Sequence, residues 1–430
     1  MTSPSDVTSS CRWRDSRDVH PDPIQPRVTV GAGAKWGRIV SKLSEHGLVM
    51  PGVVTTANAT AGGTLACDCL SRFSPSFGKE GEMVESFRLM RPSGATRTYN
   101  CPAAGSALSR RREKTFLGVI NGFGYLGALV EITYRVTPIS GRPIRVRTVL
   151  DKQHDFSALA SKLDPSTLSR SDPHSLWAGL YVRGKLNDRA VLIFDSSFTD
   201  SRRHKPFPLF DGNNKFRIPA QYGLRVPFIY RTIARRYFNY WKQCQKFDNE
   251  HHEFLFFMDS NADARRRAAS ARIRLSEIQQ TFCLPTGTDP QRRLEEWLTL
   301  VEGVLLARRI QPLLADVGYL PRDNLPFYLS PTAHDSAFAI SYAFATNRLK
   351  LRTARAALSE MSEILWNKFG GRVSLVKNVN VRTDTLEQMY AGDVDHFFTL
   401  KRHMDPHGIL CNSFLERIFP NHCQAAGYRP

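Results

Sequence analysis

The chain has 430 residues, 42% of them hydrophobic and 23% charged, a composition that fills about two or three packed domains and excludes a disordered chain. Lys and Arg number 59 against 40 Asp and Glu, a net charge of +19. Such a surface draws phosphates or anionic lipid headgroups, but no nucleic acid is expected, because zinc-finger spacing, RNA-binding aromatics and basic-zipper heptads are all missing.

In chain order, residues 1–27 read as a polar, proline-bearing leader. Val28–Val30 is a short strand running into Gly31-Ala32-Gly33, followed by a helix over Trp36–His46 with Trp36, Ile39, Val40 and Leu43 on one face. Ala61-Gly62-Gly63 reads as a tight turn. Met83–Met90 and Ala95–Tyr99, joined at Pro92-Ser93-Gly94, predict a β-hairpin. After the apolar run Phe116–Ile120 comes Gly122-x-Gly124-x-x-Gly127, then an alternating strand, Ala128–Val136.

The pattern changes beyond Pro138. Strands are predicted at Ser175–Val182, Ala190–Phe194, Phe254–Phe257, Gln279–Leu284 and Ala337–Phe344, with helices at Leu294–Ala307 and Ala354–Phe369. From Gly370 the expectation is a strand, a helix at Thr385–Tyr390 and a last helical piece at Asn412–Ile418. Arg231, Ile233, Arg235, Arg236, Tyr237, Tyr240, Trp241 and Lys242 fit a basic amphipathic helix, which suits either packing on its own domain or an anionic membrane surface. His251-His252-Glu253, read as a strand, points its side chains to opposite faces. Cys67 and Cys69 lack the usual zinc spacing, so no metal is expected. With neither an 18-residue apolar run nor a signal peptide, the eight cysteines read as reduced thiols in the cytoplasm.

The Gly122 motif alone is a weak signal. It lies before a strand, whereas a nicotinamide fingerprint follows one and opens a helix. The ordered set "VTVGAGAKWGRI", "GLVMPGV", "AGGTLACD", "GEMVESFRLMRPSG" and "FLGVINGFGYLGALVEITYRV" is more specific. With the closing run "GGRVSLVKNVNVRTDTLEQMY", it resembles the vanillyl-alcohol oxidase superfamily of PCMH-type FAD-linked oxidases. Within it the chain looks most like the decaprenylphosphoryl-β-D-ribose oxidases, with the aldonolactone and alditol oxidases behind.

The resemblance implies an α+β fold: an FAD-binding domain built from both chain ends (28–138 and 370–430) with an inserted α+β substrate domain (139–369). It implies non-covalent FAD, with Gly62, Gly63 and Thr64 along the pyrophosphate and ribose, Gly122, Gly124 and Gly127 packed near the cofactor, and Val130 covering the adenine. Lys377 matches a lysine that points at flavin and substrate, although an exposed strand lysine is the plain alternative. Gln279 and Ser341 fall at substrate-pocket positions, and Gln279 also suits an ordinary strand. The expected reaction is oxidation of a hydroxyl of a sugar or lipid-linked sugar, with peripheral contact with an anionic membrane and an epimerase or reductase as partner. The family's N-terminal β-α-β unit has no counterpart before Val28. That departure keeps open a second expectation, a degenerate member acting as a partner subunit.

Overall fold

A computed structural model describes residues 26–103, 108, 110–139, 143–165, 173–182, 189–207, 239, 244–256, 276–312, 314–346 and 348–425. The leader up to residue 25 and the basic helix expected over 231–242 (Asn239 apart) lie outside these residues.

The first part of the chain builds a small sheet. Strand β1 (Arg27–Gly31) leads into helix α1 (Trp36–Glu45), β2 (Leu48–Val49), and the short helices α2 (Ala61–Leu65) and α3 (Ser74–Phe77). The hairpin β3 (Val84–Met90) and β4 (Thr96–Asn100), α4 (Arg111–Val119), β5 (Ala128–Arg135) and β6 (Thr137–Pro138) follow. The strand order is β1-β5-β3-β4, antiparallel throughout. As the spacing predicts, α1 buries Trp36, Ile39, Val40 and Leu43, an i, i+3, i+4, i+7 stripe. The hairpin turns at Gly94, whose φ of +80° is a conformation that glycine adopts without a Cβ penalty. Ala61-Gly62-Gly63 opens α2 instead of forming the expected turn. Thr60 caps it, its hydroxyl accepting from the Gly63 N–H at 3.4 Å.

The second part builds an eight-stranded antiparallel sheet. In chain order its elements are β7 (Arg145–Gln153), α5 (Phe156–Lys162), β8 (His174–Val182), β9 (Arg189–Thr199), β10 (Gln245–Glu250), α6 (His251–Phe256), β11 (Ser276–Pro285), α7 (Pro290–Ala307), β12 (Leu314–Leu320), β13 (Ala337–Thr346), α8 (Arg348–Phe369) and β14 (Arg372–Val373). Spatially the strands run β10-β7-β9-β8-β12-β13-β11-β14. One face is apolar: Ile278, Phe282, Leu284, Ile340, Phe344, Ala315 and Val317 are all buried. Helices α7 and α8 cover it, Trp297 of α7 packing 5.4 Å from Phe282 and 5.9 Å from Phe369 of α8. Gln280 is on this inner face too, satisfied by Ser362 at 2.8 Å and the Asn380 N–H at 2.7 Å.

Two expectations need correction here. Phe254–Phe257 was expected as a strand, but residues up to Phe256 form α6. A four-residue apolar run does not by itself separate helix from strand, and α6 buries Phe254 and Leu255 together with His251. Burial, then the neighbouring His252, push the His251 imidazole down to a pKa of about 3. The strand expected through "RVSLVKN" ends at Val373, at the edge of the large sheet, where it pairs with Phe282 and Cys283 of β11.

The chain then returns to the first part. Helices α9 (Thr383–Met389), α10 (Asp393–Met404), α11 (Ser413–Ile418) and α12 (Pro420–Ala425) close the molecule. The spacing Val394, Phe397, Phe398, Lys401 makes α10 legible, though sequence reading passed over it. Phe397 and Phe398 pack 6.4 and 6.1 Å from Tyr125. The fully buried Lys401 ammonium donates to the Tyr125 carbonyl at 3.0 Å, Asp405 at 2.6 Å and the Leu410 carbonyl at 2.7 Å. Every donor of the ammonium is used, which offsets its desolvation. None of the described helices is long and apolar enough to cross a membrane.

Candidate functional site

Between the small sheet and the returning C-terminal segment lies a cavity of about 380 Å³, lined by Ala32, Gly62, Gly63, Ala66, Val119, Gly124, Gly127, Ala128, Leu129 and Leu410. Its size is that of an organic ligand site. Glycine and alanine make up most of its lining. A Cβ at Gly124 meets no protein atom within 4 Å and would project into this space, while the residue's φ of +74° already suits glycine. The lower wall is set by Asp405, which accepts from the N–H groups of Ile409 and Leu410 at 2.9 and 2.8 Å and so holds Leu410 in place.

Four of the seven cofactor positions inferred from sequence line this cavity: Gly62, Gly63, Gly124 and Gly127. The other three do not. Thr64 is buried, its hydroxyl accepting from the Trp36 indole at 2.8 Å and donating back within α2. Gly122 is packed against the end of α4, where a Cβ would stand 2.1 Å from the Gly118 carbonyl oxygen. Val130 is 40% exposed, and only its carbonyl contributes, accepting from the Ala32 N–H at 2.9 Å.

A second, polar surface lies on the large sheet. Side chains alternate across a strand, so opposite the helix-covered face stand Trp177 of β8, Asp316 of β12, Ser341 of β13, and Gln279 and Thr281 of β11. Their rows are set by the register Gly179–Asp316–Ser341–Thr281. Thr281 and Ser341 share a hydrogen bond of 2.7 Å. Gln279 exchanges hydrogen bonds with Asn378, its N–H donating to the amide oxygen and its carbonyl accepting from the Asn378 N–H, each 2.9 Å.

That exchange positions Lys377. The Ser374 N–H binds the Thr281 carbonyl, and the Asn378 N–H binds the Gln279 carbonyl. Four residues of advance are therefore held over two residues of β11, and the intervening Leu375, Val376 and Lys377 must arch outward. Leu375 is buried in this arch and Lys377 exposed. The Lys377 charge acts on Cys67, Cys69 and Asp316, which places it within electrostatic reach of both the small-sheet segment and the polar face. Burial, followed by the Glu80 charge, pushes the Cys67 thiol up to about 11 against the pull of Lys377, so this thiol is a poor nucleophile at neutral pH.

Residues 66–72 join the two regions. Ala66 lines the cavity, Cys67 and Cys69 feel Lys377, and the Arg72 guanidinium stands 4.6 Å from the Trp177 ring centre and 5.6 Å from that of Phe254. Burial lowers the Arg72 pKa to about 9, while the Asp316 charge raises it. The segment is anchored by a buried polar knot. Lys79 Nζ binds Asp68 at 2.5 Å, Ser330 at 2.5 Å and Asp323 at 3.1 Å. Burial opposes the Lys79 charge, but Asp323 and Asp68 outweigh it and hold its pKa above the ordinary value. Asp68 also accepts from the Gly81 N–H at 2.7 Å. Arg72, Trp177 and Asp316 were missed in the sequence, because strand register puts Trp177 and Asp316 on one face and tertiary packing brings Arg72 to them.

No family model matches the chain. Over 406 residues, 91% of this chain and 80% of the other, it is 21% identical to the decaprenylphosphoryl-beta-D-ribose oxidase of Mycolicibacterium smegmatis. The chain is a distant relative of an oxidase. The likeness runs through both sheets, and it supports a general oxidoreductase function on an α+β fold.

Proposed function

We propose that the protein is an FAD-dependent oxidoreductase that oxidises a hydroxyl of a sugar or lipid-linked sugar. The observation that carries this reading is the likeness, over 91% of the chain, to an oxidase named for a polyprenylphosphoryl sugar. The glycine-walled cavity supports it: Gly62, Gly63, Gly124 and Gly127 leave room for a cofactor to lie against main chain. FAD, when bound, supplies a two-electron hydride acceptor. The chain's own part is positioning and charge. Lys377 offers three donors and a positive charge, which binds a substrate hydroxyl and offsets negative charge developing beside it. Gln279 and Ser341 present polar groups from the same face. A lipid-linked substrate would bring the protein to an anionic membrane surface, which the +19 charge favours. An epimerase or reductase acting on the ketone product would be the natural partner.

The test is spectroscopic. The purified protein, or the protein incubated with FAD, is expected to show a bound-flavin visible spectrum that a polyol or a short-chain polyprenylphosphoryl pentose bleaches anaerobically. A protein that remains colourless after incubation with FAD excludes the reading. Lys377→Ala is expected to keep the flavin and slow bleaching about 10²–10³-fold; bleaching at the unaltered rate would remove the role given to Lys377.

A further inference from the structure

Asp316 is a carboxyl on the polar face of the large sheet. It stands directly across from Ser341 on one side and Gly179 on the other. The Ser341 hydroxyl supports the carboxyl and is itself tied to Thr281 at 2.7 Å. Oδ1 is buried yet has no hydrogen-bond partner. An acceptor desolvated in this way is costly, and it is the arrangement expected of a group that receives its partner from a ligand. The charges acting on it come from both sides of the site: Arg72 from the small-sheet segment and Lys377 from the arch after β14. Gly179 of β8 and Ser341 of β13 add none.

We propose that Asp316 is the catalytic base of this site, its Oδ1 accepting the hydroxyl proton of the alcohol substrate. The inference rests on the oxidoreductase reading above. In the step, the carbinol O–H and C–H bonds break and a C=O bond forms. The hydride, with its electron pair, would pass to FAD when bound, and the proton to Oδ1 and later to solvent. Burial lifts the Asp316 pKa to about 6 while Arg72, Lys377 and Ser341 pull it back. The carboxylate is therefore ionised at neutral pH and still basic enough to take a proton. Lys377 and Arg72, as cations, favour the oxygen as it loses that proton.

The experiment uses the flavin-loaded protein with xylitol and farnesylphosphoryl-β-D-ribose as probes, following anaerobic bleaching of the flavin against pH. The rate is expected to rise through a midpoint near 6. Asp316→Asn should slow it about 10²–10⁴-fold, with flavin spectrum and melting temperature retained and the acid limb gone, and Asp316→Glu should restore part of the rate. Independently of turnover, carbon NMR of carboxyl-labelled aspartate should show a resonance, absent from Asp316→Glu, that titrates near pH 6. Wild-type bleaching by Asp316→Asn, an acid limb that survives the substitution, or a resonance flat between about pH 5 and 8 would overturn the inference alone. Should Asp316→Asn fail to fold, the wild-type titration and Asp316→Glu decide. If neither probe bleaches the flavin, the functional reading fails and takes the inference with it.

Discussion

Lys79→Met is the most informative test of how the two parts of the site are held together. The ammonium is 2% exposed and its partners Asp68 and Asp323 are 0% and 1% exposed. Methionine fills nearly the same volume, so the substitution removes charge with little loss of packing. Breaking a buried pair from one side costs about 3–5 kcal/mol, because a charge is left uncompensated. Here two carboxylates face each other without their cation. For a chain of this size the entropy of unfolding is about 0.9 kcal/mol per kelvin, so the melting temperature should fall by roughly 3–6 °C if unfolding is cooperative. The pH dependence follows from linkage. Burial already raises the Asp68 carboxyl above its ordinary value, and the variant removes the Lys79 charge that pulls it back. The folded state then binds more protons, and stability recovers as pH falls. Thermal melts of both proteins between about pH 5 and 8 measure this. A variant as stable as the parent, or a deficit that grows toward acid, would refute the reasoning.

Burial raises Glu82 from 4.5 to about 7, against the pull of the Asn324 side chain and N–H. A carboxyl raised in the folded state contributes stability that is present below 4.5 and lost as pH rises toward 7. Glu82→Gln should therefore gain on the parent between pH 5 and 8 in melts, and an unchanged difference across that range would contradict it. Gly122→Ala, with its Cβ 2.1 Å from the Gly118 carbonyl oxygen, should destabilise by about 1–3 kcal/mol or more through overpacking, measured by denaturant unfolding; a neutral result would show that α4 can shift. Gly124→Val places a side chain in open cavity at positive φ. It should weaken FAD binding by at least about tenfold in a flavin-fluorescence titration, with about 1 kcal/mol of backbone strain, and unaltered binding would move the cofactor elsewhere.

The elements with a clear period were legible in the sequence. The apolar stripe of α1, the hairpin at Gly94 and the alternation of β11 and β13 follow from side chains that must be buried on one face, and the structure has them within a few residues. Among the ordered glycines that line the cavity, Gly124 has open space where a Cβ would stand, whereas a Cβ at Gly62 or Gly127 would meet Ala32 or the Leu89–Met90 strand. Composition did not separate the glycines that line the cavity from Gly122, whose absent side chain serves a helix end. Nor did it reveal the arch that carries Lys377, which exists because hydrogen bonds from Ser374 and Asn378 span two residues of β11. Asp316, Ser341 and Gln279 are 25 to 62 positions apart in pairs that no local pattern connects. Only the antiparallel register of β12, β13 and β11 puts them on one face, and only the packing of residues 66–72 against that face brings Arg72 to Trp177. Local periodicity is a property of the chain, whereas the meeting of these side chains is a property of strand pairing, and that the tertiary structure alone decided.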